Sequence, residues 1–449
     1  MMEERNMKHL AKLYALILTL CILVCSLSIG VAEAADKPYA GTTIHVLLNT
    51  HTYYDNADLY IPEFEAATGI KVIMEHAERV SLATKQEMEL GAGTGAYDVM
   101  LIDGSKVVRY DTAGWCEPLN EYIANDPAFD YDDYVDAYAE LLTVDGRING
   151  IPCIGETTVL FYRRDIFQQA GITEIPKTWD DVAEAAKKIQ ALNLEGVDAL
   201  GLRARAGEGL NCFVWGAFLH AFGGNWVNEE GHPTLDTPEA IAACQYFADM
   251  INNYGPVGGG DMTHADHNPS FQQGKLAMFF DASVFNANYM DKNTSVPAVL
   301  ENWAAAPTPM GTDGRGAAAV AAHSLMIARH SKNKAAAWEF IKWYTGAELQ
   351  KKIAVETGTF GAIVHESIMN DPEFVKIFGG HGWIEAVAES LTHARADYRY
   401  TENPEWAYIG DSVGKALQDT IIGVGTAEEN MKKVNAMLEE FLQENGYIR

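Results

Sequence analysis

Thr43-Ile44-His45-Val46-Leu47-Leu48 opens a stretch that runs through Asp58 to Thr68 and ends in Gly69-Ile70-Lys71-Val72-Ile73-Met74. The first and last pieces are short, apolar and rich in β-branched residues, as buried strands are. The piece between them reads as a helix, and Gly69 supplies its stop. Tyr97 to Ile102 repeats the strand pattern. Strands alternating with helices in this way predict α/β architecture with a parallel, doubly wound sheet.

The alternation continues along the chain. Thr158 to Tyr162, Asp198 to Leu202, Leu276 to Phe280 and Ser324 to Ala328 read as later strands. Thr178 to Leu192 reads as a helix, with Thr178 and Asp181 placed as a capping box. Thr237 and Pro238 fit the N-cap and first position of another helix. Thr426 and Glu429 open the last by the same box. No repeat, low-complexity tract or Pro/Ser-rich linker marks a domain boundary.

The N-terminus speaks to compartment. Lys8 and Lys12 precede the apolar run Leu13 to Ala32, and Ala32-Glu33-Ala34 offers a small-x-small cleavage site. Residues 1–34 thus read as a signal peptide, with an uncleaved anchor as the alternative. Cys21 and Cys25 follow Leu20 and Val24, not the small residues of a lipoprotein signal. The remaining chain of about 415 residues is too long for one ordinary core, so two domains are expected. The sequence carries 62 acidic and 33 basic residues, a net charge of -29. Nucleic acid and anionic membrane are therefore poor partners. Cys116, Cys153, Cys212 and Cys244 have wide, irregular spacing with no zinc pattern, and both buried thiols and one disulfide stay open.

Several segments carry a resemblance, in order. They are Phe64-Glu65-Ala66-Ala67-Thr68-Gly69-Ile70-Lys71-Val72, then Tyr97-Asp98-Val99-Met100 with Gly114 to Tyr122. Gly146-Arg147-Ile148-Asn149-Gly150-Ile151-Pro152 follows, with Glu156 and Leu160-Phe161-Tyr162-Arg163-Arg164-Asp165 behind it. Pro176-Lys177-Thr178-Trp179-Asp180-Asp181, Phe271-Gln272-Gln273-Gly274-Lys275-Leu276-Ala277-Met278 and Ser331 to Tyr344 complete the series. Together they resemble extracellular solute-binding protein family 1, which includes the bacterial maltose-binding proteins. Phe222-Gly223-Gly224-Asn225-Trp226 and the Glu405-Trp406 region look more like its sugar and polyol subgroup. The resemblance implies a two-lobe periplasmic-binding-protein fold, with a mostly parallel sheet in each lobe and a hinge of crossing segments. Residues 35–156 and 282–345 would form the N-terminal lobe, and 157–281 and 346–449 the C-terminal lobe. A solute would bind between them and the hinge would close.

Sugar hydroxyls call for carboxylates, amides or His, and sugar faces call for aromatic rings. Asp103 directly follows a strand, so a parallel sheet puts it at the carboxyl edge facing the cleft; a helix N-cap is the alternative reading. The resemblance adds Ser105 and Lys106 as polar contacts, and Glu156 as a ligand-binding carboxylate at the crossing. His51 stands where the maltose binders carry an acid, which argues against maltodextrins. Tyr53 and Tyr54 in the same segment are stacking candidates. Asn211 and Trp215 open a second-lobe helix at a similar match. Asp281 ends a strand near the crossing, and Arg399 lies in a polar loop with Tyr398 and Tyr400 where relatives place a late contact.

Other motifs fail on context. Gly91-x-Gly93-x-x-Ala96 precedes a strand instead of following one, and no Walker loop is present. His264-x-x-His267 with Asp261 and Asp266 is too loose to indicate a metal, so neither metal nor cofactor is expected. The reading that results is an exported, non-enzymatic, monomeric substrate-binding component of an ABC transporter. It would take a small carbohydrate or polyol and hand it to the importer's transmembrane subunits. The alternatives are an exported glycoside hydrolase, built on Asp103, Glu156 and Asp281, and a receptor feeding a sensor protein.

Overall fold

The computed structural model describes residues 37–207, 209–358 and 362–448. The segment read as a signal peptide lies outside the described residues. Eight strands build the main sheet: β1 (Thr43–Asn49), β2 (Lys71–Ala77), β3 (Val99–Asp103), β4 (Ile151–Arg163), β5 (Asp198–Gly201), β6 (Leu276–Ala282), β7 (Trp303–Pro307) and β8 (Val320–Ile327). Their order is β2-β1-β3-β8-β4-β6-β5, with β7 also on β4. The βαβ units pair in parallel, β1 with β2 and β3, and β5 with β6. The strands that pass between the two halves, β4 and β8, pair antiparallel with their neighbours.

β4 joins the halves. Ile151 to Thr157 pairs with β8, while Thr158 to Arg163 pairs with β6 and β7. Beyond the crossing its side chains alternate. Leu160 and Tyr162 enter one core, Val159 and Phe161 enter another on the opposite face. A strand covered on both faces needs an unbroken apolar run, which Val159-Leu160-Phe161-Tyr162 supplies. Before the crossing, Ile151 and Ile154 join a separate core with β1, β3 and β8.

These cores divide the chain differently from the expected lobes at two places. Tyr289, Val299 and Trp303 pack with Phe161, and Ala317 and Ala319 pack with Leu160. Residues 282–319 therefore belong with the second half, because β7 needs β4's far end as its partner. Leu349 and Ile353 pack in the first core, so that half continues past 345. β7 was not anticipated: Trp303-Ala304-Ala305-Ala306-Pro307 has little intrinsic strand preference, and burial between β4 and the helix Trp383–Thr392 decides it.

The expected helix over Asp58 to Thr68 is two helices, Thr52–Asp58 and Ile61–Thr68. Pro62 explains the break. It lacks an N–H and suits only the first turn, so a new helix starts beside it. Gly69 ends that helix with φ 76°, where a side chain would be strained. Thr178 with Asp181 and Thr426 with Glu429 form complete capping boxes. Thr237 caps Pro238–Tyr254 through the Ala240 N–H. Cys116, Cys153, Cys212 and Cys244 are buried free thiols. Among the described residues no helix is long and apolar enough to cross a membrane.

Candidate functional site

A cavity of about 370 Å³ lies where the two halves meet. Its floor comes from the sheet. Asp103 ends β3 directly opposite His323 of β8, and Ala321 lies opposite Glu156 of β4. Opposed residues share a face, and so do residues two apart on one strand. Asp103, His323, Ala321 and Glu156 therefore form one row, and all four line the cavity. A register shift between His323 and Ser324 breaks the ladder here, as bulges do beside functional sites. Glu156 is the one residue of β4 that is not fully buried. Its neighbour must be small, since a Cβ on Gly155 would sit 2.3 Å from the Tyr138 ring.

Asp103 both caps the turn that follows it and faces the cavity. Its Oδ1 accepts from the Ser105 N–H at 2.9 Å and the Ser105 hydroxyl at 2.6 Å, while both residues face the cavity. His51 caps the helix Thr52–Asp58, with Nδ1 accepting from the Tyr53 N–H at 3.1 Å. That bond requires a neutral ring protonated on Nε2. Burial, helped by nearby His323, pushes the His51 pKa down to about 3, so the ring stays neutral.

The second half contributes Arg203, Phe213, His264, Phe285, Arg399 and Trp406. The Arg203 guanidinium lies 4.7 Å from the Phe213 centroid, and that of Arg399 lies 5.2 Å from the same ring and 5.9 Å from Trp406. Burial lowers the Arg399 pKa, and the largest opposing influence is the charge of Asp103, from the other half. Arg109 pairs with Glu87 at 3.1 Å at the edge of the first half. The arrangement offers carboxylates, guanidinium donors, the neutral imidazole of His51 and aromatic faces together.

The profile of bacterial extracellular solute-binding proteins matches residues 50–351. The chain belongs to this family. The mannitol-binding protein of Pseudomonas aeruginosa is 26% identical over 396 residues, covering 84% of this chain and 86% of the relative. The erythritol/L-threitol-binding protein of Mycolicibacterium smegmatis is 25% identical over 427 residues, covering 88% and 87%. An ABC transporter solute-binding protein of Agrobacterium radiobacter, solved with ribitol, superposes with TM-score 0.80 at 23% identity, covering 90% of this chain and 100% of the other. One from Agrobacterium vitis with bound D-mannitol gives TM-score 0.78 at 24% identity, covering 90% and 99%. At these identities the solved structures establish the fold alone.

Within this solute-binding protein the expected site residues separate into two groups. His51, Asp103, Ser105, Glu156 and Arg399 line the cavity, as does Lys106. Tyr53, Asn211, Trp215 and Asp281 do not, and nor does Tyr54. Tyr53 and Tyr54 are fully buried, because the helix beginning at Thr52 turns both rings inward onto Tyr344. The Tyr53 hydroxyl donates to the Tyr344 carbonyl at 2.9 Å. Asn211 is a structural bracket: its Nδ2 donates to the Ala204 and Gly414 carbonyls at 2.9 and 2.8 Å. Trp215 packs edge-on against Trp226 in the second core. Asp281 is held behind the cavity wall by Arg203.

Arg203, Phe213, His323 and Trp406 were not anticipated as site residues. Arg203 follows a strand end just as Asp103 does, so the same reasoning applied to Asp198–Leu202 finds it. His264 lines the cavity and stacks on Phe285 at 5.9 Å. Its sequence companions serve the fold: Asp266 completes a capping box with Thr263, and His267 Nε2 meets the Leu202 carbonyl at 2.9 Å.

Proposed function

We propose that this protein captures a neutral, hydroxyl-rich small molecule, a sugar alcohol or small sugar, for delivery to the transmembrane subunits of an ABC importer. The observation that carries the reading is the charge balance of the cavity. Lys106, Arg109, Arg203 and Arg399 line it beside Glu87, Asp103 and Glu156, and buried Asp281 stands behind Arg203. Four cations against four anions leave no net demand for an acid or an amine. They leave many donors and acceptors, which suit hydroxyls because each hydroxyl both donates and accepts. Phe213 and Trp406 add apolar faces for C–H groups. A volume of about 370 Å³ is near the lower end of small-ligand sites, roughly 300–1,000 Å³, and favours one short polyol chain over an oligosaccharide. The naming of relatives for mannitol and for erythritol supports the same class.

Within this reading the chain is exported, trimmed after Ala34, and works as a monomeric receptor without catalysis. The hydrolase alternative loses Asp281 to its ion pair with Arg203. Thermal-shift titration with D-mannitol, ribitol, erythritol and maltose tests the proposal. A ligand at about 100 times its Kd stabilises the folded form by about 2.7 kcal/mol, so a polyol should raise the Tm clearly and maltose should not. Stabilisation by maltose with no response to any polyol would overturn the assignment.

A further inference from the structure

We propose that Asp281 sets the charge class of the ligand: by neutralising Arg203 from behind, it turns a pair of arginines into a reader of uncharged hydroxyls. For the natural ligand the inference rests on the polyol reading above. For the charge effect it rests on geometry alone.

Arg203 and Arg399 lie against one ring, with guanidinium carbons 4.7 and 5.2 Å from the Phe213 centroid. Two guanidinium groups lining one cavity offer donors that suit a carboxylate or phosphate. Asp281 cancels one of them. The Arg203 Nε–H is shared between its oxygens at 3.0 and 2.7 Å, and Nη2 donates to Oδ1 as well. Oδ1 also accepts from the Ala282 N–H at 2.6 Å. The carboxylate is 0% exposed, so it makes no direct contact with a ligand. The remaining N–H groups of Arg203 stay available to the cavity it lines. Arg399 has no ion-pair partner among the described residues, and the largest influence opposing its burial is the charge of Asp103. Removing the charge of Asp281 leaves the four cations of the cavity against Glu87, Asp103 and Glu156, one positive charge in excess. Asp281 is thus a positioning residue with an electrostatic role that packing alone would not provide.

The test compares D-mannitol with D-mannonate, the acid of the same carbon skeleton, by calorimetric titration of wild type and Asp281→Asn. Wild type should prefer the polyol. Asp281→Asn, which keeps the shape and removes the charge, should shift the preference towards the acid by roughly tenfold or more, equivalent to about 1.4 kcal/mol. The double variant Asp281→Asn/Arg203→Gln, neutral again, should restore the wild-type ratio. Sulfate, read by thermal shift, is an independent probe: it should stabilise Asp281→Asn saturably and leave wild type unmoved. A wild type that binds neither sugar form sinks the polyol reading, and the sulfate comparison then decides the inference alone. Should Asp281→Asn fail to fold, Arg203→Gln reads the same charge with opposite sign and must move the ratio towards the polyol. An unchanged ratio in the folded variant, or an unchanged sulfate response, overturns the proposal, as does a wild type that prefers the acid.

Discussion

His51 and His323 meet edge to face at the floor of the cavity, with ring centroids 5.9 Å apart and planes 75° apart. His51 follows the end of β1 and His323 lies within β8, so a proton on His51 would bring a charge beside the His323 ring. The His51 pKa is accordingly pushed down to about 3, by burial first and His323 second. The unfolded chain would protonate His51 near about 6.5. Between those values the unfolded state binds the extra proton, so stability is full above about pH 6.5 and is lost as pH falls towards 3. The slope from this one group is at most about 1.4 kcal/mol per pH unit. His51→Asn keeps an oxygen to cap the Thr52–Asp58 helix. Its melting temperature should fall less steeply than wild type between pH 6 and pH 4, and parallel profiles would remove His51 from the acid response.

The residues that left the candidate site make an opposite prediction. Trp215 is fully enclosed against Trp226, and truncating a buried Trp costs about 3–5 kcal/mol. Trp215→Ala should therefore lower the Tm by many degrees. Where it remains folded, its ligand affinity should stay within about twofold of wild type, since about 0.4 kcal/mol covers that range. Tyr53→Phe loses the bond to the Tyr344 carbonyl, a loss of about 1 kcal/mol in stability. A marked loss of affinity in folded Tyr53→Phe would return that residue to the site.

Why the cavity positions of Asp103 and Glu156 are legible in the sequence while the burial of Tyr53 is not has a physical answer. Asp103 needed only the end of a strand and the rule that cleft residues sit at carboxyl edges. Glu156 came from the family resemblance, which implies a ligand-binding carboxylate at the crossing. Tyr53 and Tyr54 are buried because the helix from Thr52 to Asp58 turns their rings inward, where in a loop they would face outward. That helix depends on a His cap, a weaker signal than Ser, Thr, Asn or Asp. β7 was invisible for a related reason: three consecutive alanines carry no strand preference, and only the edge of β4 makes them one. The Arg203–Asp281 pair joins residues far apart in sequence, and no local pattern announces it.

Among the described residues, β4 at Thr157 and the start of β8 at Val320 connect the cores. Neither is a rigid helix spanning both halves, so rotation of one half against the other is open to the fold. Saturating polyol should reduce the radius of gyration in small-angle scattering. Arg399→Gln should weaken that response, because the cavity contact from the second half is lost. A radius that does not change on saturation of wild type would count against closure as the working motion.

Glu156 gives the most direct test of the cavity. It sits on the crossing strand opposite Ala321, in the same row as Asp103 and His323, with only partial exposure. A carboxylate accepting one or two ligand hydroxyls there makes charge-assisted bonds in a partly dry site. Glu156→Ala removes those acceptors and leaves the hydroxyls unpaired when the halves close, which costs roughly 1.5–3 kcal/mol of binding. Affinity should fall on the order of tenfold to hundredfold. Glu156→Gln keeps the shape and one acceptor oxygen, so it should retain part of that loss. The competing role is structural: a charge that fixes the crossing strand by pairing within the protein. That role predicts a lower apo melting temperature with affinity nearly intact, the reverse pattern. Calorimetric titration with D-mannitol, run beside apo melting curves for wild type and both variants, separates the two. Unchanged affinity together with a lower apo Tm would make Glu156 a hinge residue and would move the ligand's acidic contacts to Asp103.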